Sequence, residues 1–244
     1  MRYLILSDLH ANLPALDAVL ADATSVGYDA VIVLGDLVGY GAQPAAVMER
    51  TFALNPVAMV RGNHDKVCAG IEPATTFNDI ARASAEWTAA RLSPGELRAL
   101  GELPIGPRLV TDDLEICHGA PFDEDHYVFD LRDAGLAIEA MSGRICLFGH
   151  THLPALYTTV DDPVESSGGD DDTLRLPTGG PSLINVGSVG QPRDGDPRAA
   201  YGVFDVDQGT MRLRRVAYDV AAAQAAILEA GLPPWLALRL AQGR

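Results

Sequence analysis

Five short apolar runs in this chain each end in a residue that can ligate a metal or carry a proton. Residues 3–6 (YLIL) run into SDLH, 31–34 (VIVL) into GD, 57–60 (VAMV) into RGNHD, 114–117 (LEIC) into HG, and 145–148 (ICLF) into GHTH. Runs of this length and apolarity read as buried strands. In open α/β sheets ligands bind outside the carboxyl ends of the strands, so five such tails can converge on one site. Of the six histidines, five (His10, His64, His118, His150 and His152) lie in these tails, and only His126 does not.

The stretches between the runs fit that arrangement. Asn12 can cap a helix over 13–26, with Leu13, Leu16 and Leu20 near helical spacing and Gly27 closing it. Pro44 opens a short helix carrying Val47, Met48 and Phe52. The order up to residue 60 is therefore β-α-β-α-β, which predicts a parallel sheet with helices against it. Residues 77–91 read as a helix, and another starts at SPGE, where Ser93 and Glu96 form a capping box around Pro94. A hairpin over 109–117 turns at Asp112-Asp113, and 131–142 reads as helical. The acidic, Gly-, Ser- and Pro-rich stretch 161–181 reads as an exposed loop or long hairpin, partly disordered. Strands resume at SLINV, AYGVFDV and TMRLRRV, and two helices close the chain, one Ala-rich over 219–230 and one at PPWLALRL.

Composition bounds the setting. A chain of 244 residues, 48% hydrophobic, suits one α/β domain over 1–244. Three cysteines without paired spacing make no disulfide framework, and Cys117 and Cys146 sit inside apolar runs, as buried thiols in a reducing cytosol would. The first apolar run is too short for a signal-peptide core, and no stretch is long enough to span a bilayer, so the expectation is a cytoplasmic protein with no membrane partner. The net charge of −15, with 18 Lys and Arg that do not cluster, excludes a broad basic face for long nucleic acid. A small anionic substrate requires something local that reverses the field. The C-terminal Trp235, Leu236 and Leu238 suit either core or a homo-oligomer contact.

Each tail has an ordinary reading by itself. Asp8 suits a helix cap, Gly35-Asp36 and Gly62-Asn63 suit turns, and His118 suits a satisfied loop histidine. Five such tails on five strands are not explained by turn propensity. In GHTH, positions i and i+2 of a strand tail point to one side, which lets both imidazoles address one point. Imidazole, carboxylate and amide oxygen without thiolate suit Mn, Fe or Zn. The candidate ligands exceed one ion's needs; two ions about 3.5–4 Å apart sharing a carboxylate fit them and suit in-line displacement at phosphorus.

The ordered series Asp8-Leu9-His10, Gly35-Asp36, Gly62-Asn63-His64-Asp65, His118-Gly119 and Gly149-His150-Thr151-His152 resembles the signature of the calcineurin-like metallophosphoesterases. The likeness covers residues 4 to about 202. Residues 185–201 (NVGSVGQPRDGDPRAAY) resemble the small bacterial and archaeal phosphodiesterase branch, with Val186 where that branch usually has Pro, and 161–181 resembles an insertion relative to its shortest members.

The resemblance implies an α/β four-layer sandwich, two mixed β-sheets packed together and flanked by α-helices. It implies that Asp8, His10 and His152 hold one metal, that Asn63, His118 and His150 hold a second, and that Asp36 bridges them, with Mn favoured and Fe or Zn as alternatives. It places His64 beside the scissile phosphate as catalyst, with Asp65 orienting and charging it. Asn63, His64 and Arg193 are the substrate-contacting candidates, with the backbone amides of the Gly187-Ser188 turn near Arg193; the plain alternative pairs Arg193 with Asp194 or Asp196. The favoured activity is hydrolysis of a small phosphodiester such as a cyclic nucleotide. The alternatives are a phosphomonoesterase, protein or dinucleotide polyphosphate phosphatase using the same site, and a non-catalytic scaffold of the same fold, against which the intact motif histidines weigh.

Overall fold

A computed structural model describes residues 1–158 and 171–244. Strands and helices alternate at first: β1 (Arg2–Leu6), α1 (Leu13–Val26), β2 (Ala30–Val33), α2 (Pro44–Ala53) and β3 (Ala58–Met59). Then come α3 (Asn63–Cys68), α4 (Asp79–Arg91), α5 (Pro94–Gly101), β4 (Arg108–Leu109), β5 (Leu114–Ile116), α6 (Leu131–Ala140), β6 (Ile145–Phe148) and β7 (Ala155–Thr158). The chain continues through β8 (Asp171–Arg175), β9 (Ser182–Asn185), β10 (Ala199–Asp205), β11 (Thr210–Val216), α7 (Val220–Glu229) and α8 (Pro234–Leu240).

Two mixed sheets result, ordered β3-β2-β1-β10-β11-β8 and β4-β5-β6-β9-β7. In the first, β1, β2 and β3 are parallel, and β10 returns antiparallel to β1, with Ile5 opposite Gly202. In the second, β5, β6 and β9 are parallel. Strand alternation builds the layers. Tyr3, Ile5, Ile32 and Leu34 cluster with Leu114, Ile116, Ile145 and Leu147 between the sheets. The opposite face of β1 and β2 (Leu4, Leu6, Val31, Val33) packs on Leu16 and Val19 of α1 and Val47 of α2. Cys146, Phe148 and Leu183 cover the second sheet's outer face under Ala134 and Ala137 of α6. Truncating one of these buried aliphatics to Ala costs about 2–5 kcal/mol, which holds the two sheets' ends in register.

Local chemistry sets the element ends as the sequence predicts. Asn12 accepts from the Ala15 amide, and the Ser93–Glu96 box forms reciprocally. Three elements differ. GNHD is a helix start instead of a turn, because the Asp65 carboxylate takes the Gly62 amide that α3 leaves unpaired. ALYT forms β7 on the edge of β9. The stretch expected as an acidic loop supplies β8, which pairs with the edge of β11; an edge strand offers unpaired backbone groups that such a segment satisfies. Residues 161–170 of that stretch, with 159 and 160 before them, lie outside the described residues. Among the described residues no helix is long and apolar enough to cross a membrane.

Candidate metal centre

The carboxyl ends of β1 and β2 lie beside those of β5 and β6. The Asp8 amide donates to the Gly35 carbonyl and the His10 amide to the Asp36 carbonyl, so the first two tails run together. The Gly149 amide donates to the His118 carbonyl and joins the other two. Past the strands the backbone leaves the extended region. Asp8 (φ 53°), His10 (45°), Asp36 (52°), His150 (67°) and His152 (63°) are all left-handed. Such a conformation costs a non-glycine residue about 1–3 kcal/mol and persists only where surrounding structure holds it. Its effect is to turn successive side chains inward. His150 and His152 therefore do not act as i and i+2 of a strand addressing one point, as the spacing suggested; they enter different groups.

Two groups of donor atoms form, each within 4.8 Å of one another: Asp8, His10, Asp36 and His152 in the first, and Asp36, His118 and His150 in the second. All are buried. One oxygen, Asp36 Oδ2, lies 3.5 Å from both His10 Nε2 and His118 Nε2. Asp8 Oδ1 is 3.3 Å from His152 Nε2, and Asn63 Oδ1 is 3.3 Å from His118 Nε2.

The outer ring nitrogens test whether the donors suit a metal. His10 Nδ1 faces the Val38 carbonyl (3.1 Å), His118 Nδ1 the Leu34 carbonyl (2.7 Å), His152 Nδ1 the Gln191 carbonyl (2.6 Å), and His150 Nε2 the Asp125 carbonyl (3.0 Å). A carbonyl only accepts, so each outer nitrogen carries a proton, and a ring that is neutral presents a lone pair on its inner nitrogen. Yet His10 Nε2 faces His152 Nε2 at 3.0 Å, and His118 Nε2 faces His150 Nδ1 at 3.1 Å. Two lone pairs at that distance repel unless a cation shares them. Two imidazole nitrogens about 2.0–2.1 Å from one ion stand only about 3–3.4 Å apart, close to the spacing seen. The residues fit metal ions in both groups.

The charges agree. Burial works to raise the pKa of Asp36 and Asp8, but the neighbouring imidazoles, His118 first for Asp36 and His152 first for Asp8, outweigh it and hold both carboxyls well below their ordinary range. Burial pushes His10 and His152 down, and His150 down to about 3. His118 is the exception: against its burial, Asp36 pulls it up to about 10. His10 and His152 are thus both neutral and face one another with lone pairs, while a protonated His118 gives its inner N–H to His150 until a metal ion takes that proton's place.

With that geometry in hand, comparison with known proteins is direct. A family model described as the calcineurin-like phosphoesterase superfamily domain matches residues 1–209. The chain belongs to that superfamily. A crystal structure of a metallophosphoesterase from Sphaerobacter thermophilus is 40% identical with a TM-score of 0.89, covering 100% of this chain and 99% of that one. A Methanocaldococcus jannaschii protein of uncharacterized function is 33% identical over 98% of this chain and 97% of its own length. A hypothetical protein from Pyrococcus horikoshii shares the fold at 19% identity, TM-score 0.82, over 100% and 98% of the two chains.

Around this phosphoesterase centre the remaining candidates fall unequally. His64, at the first turn of α3, is 3% exposed and packs its ring 4.3 Å from Tyr40, 4.6 Å from Phe77 and 5.0 Å from His10. Its amide donates to Asp36 Oδ1 (2.9 Å). Gly62 and Gly39 make room: a Cβ on the first would stand 2.1 Å from Asp36 Oδ1, and on the second 2.4 Å from His64 Nδ1. Burial lowers the His64 pKa to about 4, so the ring is neutral near pH 7. The expected Asp65 partnership is absent. Asp65 turns away and accepts from the amides of Leu37 (2.9 Å), Val38 (3.3 Å) and Gly62 (3.0 Å), while His64 Nδ1 is buried with no partner. The reason is helical: as the third residue of α3, Asp65 bonds the helix's own start sooner than its neighbour's ring.

Arg193 stands at the mouth of the site. Its guanidinium carbon is 5.9 Å from the Tyr40 ring, and it pulls down the phenols of Tyr40 and Tyr127, which burial raises. The alternative pairing does not form, since Asp194 holds Arg215 and Asp196 holds Arg198. The Gly187-Ser188 turn is occupied otherwise: the Gly187 amide donates to Asn185 Oδ1 and the Ser188 hydroxyl to the Asp8 carbonyl, both 2.8 Å. It props Asp8 from beneath. Sequence reasoning passed over Tyr40, Tyr127 and Phe77. Tyr127 stacks on His150 at 3.7 Å, and with Asn63 and Phe77 it lines a cleft of about 250 Å³. Tyr40 carried a signal, being set between glycines (GYG) just after Asp36; Tyr127 carried none.

Proposed function

We propose that this phosphoesterase is a phosphodiesterase that holds two divalent ions, Mn first among Mn, Fe and Zn, and hydrolyses a small phosphodiester. The facing lone pairs of His10 and His152, which call for a cation between them, carry the reading, with the buried second group of Asp36, His118 and His150 beside them. When bound, such ions lower the pKa of water to near neutrality and offset charge on phosphoryl oxygens. The chain's part is positional. Asp36 Oδ2 stands between the groups as the shared ligand, Asp8, His10 and His152 complete one, and Asn63, His118 and His150 the other. Backbone carbonyls hold the proton on each outer ring nitrogen, so no reorganisation is needed when the donors engage. His64, neutral and at the edge of the first group, is placed to give a hydrogen bond or a proton to the departing oxygen. Arg193 is placed to bind a non-bridging phosphate oxygen.

A diester is favoured over a monoester by the state of the nearby cations. Arg61 is taken by Glu124 in a two-point contact (3.0 and 2.7 Å), and Lys66 by Glu124, Glu72 and Asp125. Neither is free to meet a dianion on the side of the second group. The test is hydrolysis of bis-p-nitrophenyl phosphate against p-nitrophenyl phosphate with added Mn after metal stripping. Metal-dependent preference for the diester is the expected result; preference for the monoester moves the reading to a phosphatase, and inertness towards both with two ions bound moves it to a scaffold.

A further inference from the structure

Several arginines in this chain hold a carboxylate. Asp and Glu number 33 against 18 Lys and Arg, and Arg61, Arg198, Arg214 and Arg215 each hold an acid. Among the described residues, Arg193 and Arg239 hold no Asp or Glu side chain, and they meet at one place. Arg193 comes from the loop between β9 and β10, and Arg239 from the last turn of α8. Their guanidinium carbons both lie 5.9 Å from the centroid of Tyr40. Tyr40 in turn lies 4.7 Å from the ring of His10, so this cationic pair is one aromatic ring removed from the first ligand group.

Bringing two guanidinium groups together costs free energy, and burial adds to the cost. Burial, with Arg193 next in effect, pushes Arg239 down to about 10. Tyr40 offers only its ring face and a phenol. Arg193 spends one N–H on Gln191 Oε1 (3.3 Å) and keeps Nε buried without a partner; Arg239 gives Nε to the Arg244 carbonyl. The rest of the Arg193 fork meets only the neutral phenols of Tyr40 and Tyr127, and the outer edge of Arg239 is left over; forked edges of this kind grip phosphate oxygens. Tyr40 itself is held at φ 61°, a conformation disfavoured for an aromatic residue, with its amide donating to Ser84 Oγ. The ring is fixed as the platform on which both cations stand.

We infer that Tyr40, Arg193 and Arg239 form a second anion subsite, which binds a further phosphate group of the substrate beyond the scissile one. This inference rests on the phosphodiesterase reading and narrows it. The substrate class becomes a diester or phosphoanhydride bearing an additional phosphate, with Arg193 shared between the two phosphates and Arg239 committed to the outer one. The unpartnered Arg193 Nε and the like-charged neighbour are then explained together.

Imidodiphosphate, whose P–N–P bridge resists hydrolysis, tests this against inorganic phosphate by titration calorimetry on the manganese-loaded protein and on the stripped protein. The expected wild-type preference for imidodiphosphate is about tenfold, the scale of one charged hydrogen bond. In Arg239→Gln the ratio of the two affinities falls to near unity; in Arg239→Lys, which keeps the charge, most of it survives. In the stripped protein both anions bind more weakly, and the ratio keeps the same dependence on Arg239, because the cations belong to the chain. A ratio indifferent to Arg239, with or without metal, overturns the subsite. The two readings fail separately. An Arg239-dependent ratio without turnover of bis-p-nitrophenyl phosphate sinks the phosphodiesterase and leaves the subsite; turnover with an indifferent ratio does the reverse.

Discussion

The two donor groups are alike in chemistry and unlike in surroundings. Each pairs imidazoles whose inner nitrogens face one another near 3 Å, and each uses Asp36. Beyond the first group stand Tyr40 and two cations, Arg193 and Arg239, that hold no Asp or Glu side chain among the described residues. Beyond the second stand Arg61 and Lys66, with Glu72, Glu124 and Asp125 neutralising both. The same protein therefore meets a substrate with a positive rim on one side and a balanced, aromatic cleft on the other. Nothing in ion binding demands that asymmetry. Under the phosphodiesterase proposal it is the feature that would orient a small ester, anionic end towards Arg193 and uncharged end towards Tyr127 and Phe77. It also explains how a chain of net charge −15 accommodates an anion: local placement outweighs the total, since a screened surface charge fades beyond about 10 Å.

The largest effect expected is at the point the two groups share. Asp36→Asn removes the carboxylate within 3.5 Å of both His10 and His118. Metal analysis of the purified variant should show depletion at both positions and turnover at the level of stripped protein. Two ions at full occupancy would mean that the groups are independent and the comparison rests on nothing common. Next in size is His64→Ala, which removes the ring packed between Tyr40 and Phe77 without touching a ligand. Turnover should drop by about 10²–10⁴ with metal content near wild type. Metal lost together with activity would make His64 part of the first group.

Asp65 marks where the motif was read correctly and the geometry was not. The five tails, their convergence and the order of the strands that carry them were all visible in apolar runs and their endings, because strand burial and strand termini leave a mark within a few residues. The left-handed turns that divide His150 from His152, and the helix that begins at Asn63, leave no such mark; each depends on what the neighbouring tail offers. An Asp next to a His invites pairing on paper, but the amides of Gly62, Leu37 and Val38 are nearer. Tyr127 and Arg239 were illegible for a different reason. They reach the site from a loop and from the C-terminal helix, far along the chain from any motif. Burial and mostly amides raise questions of stability, so Asp65→Asn should lower the melting temperature, at a cost of about 1–3 kcal/mol, and leave metal content and the per-molecule turnover of folded protein near wild type. Turnover lost at unchanged melting temperature would restore Asp65 as the partner of His64.

The smallest effect is the one that reads the asymmetry most directly. Glu124 accepts both Nε and an outer nitrogen of Arg61 and also contacts Lys66. Glu124→Gln keeps the shape and removes the charge, so Arg61 loses its anion while Lys66 retains Glu72 and Asp125. The balanced side then gains one available cation. Activity on p-nitrophenyl phosphate relative to bis-p-nitrophenyl phosphate should rise about three- to tenfold, the scale of one ordinary hydrogen bond, and the gain should shrink with added salt. An unchanged ratio would show that Arg61 cannot reach the phosphate even when freed, and that the preference for a diester comes from the first group's side alone. A fall would place Glu124 among the residues that position the substrate, and the two sides would no longer divide into one that binds charge and one that does not.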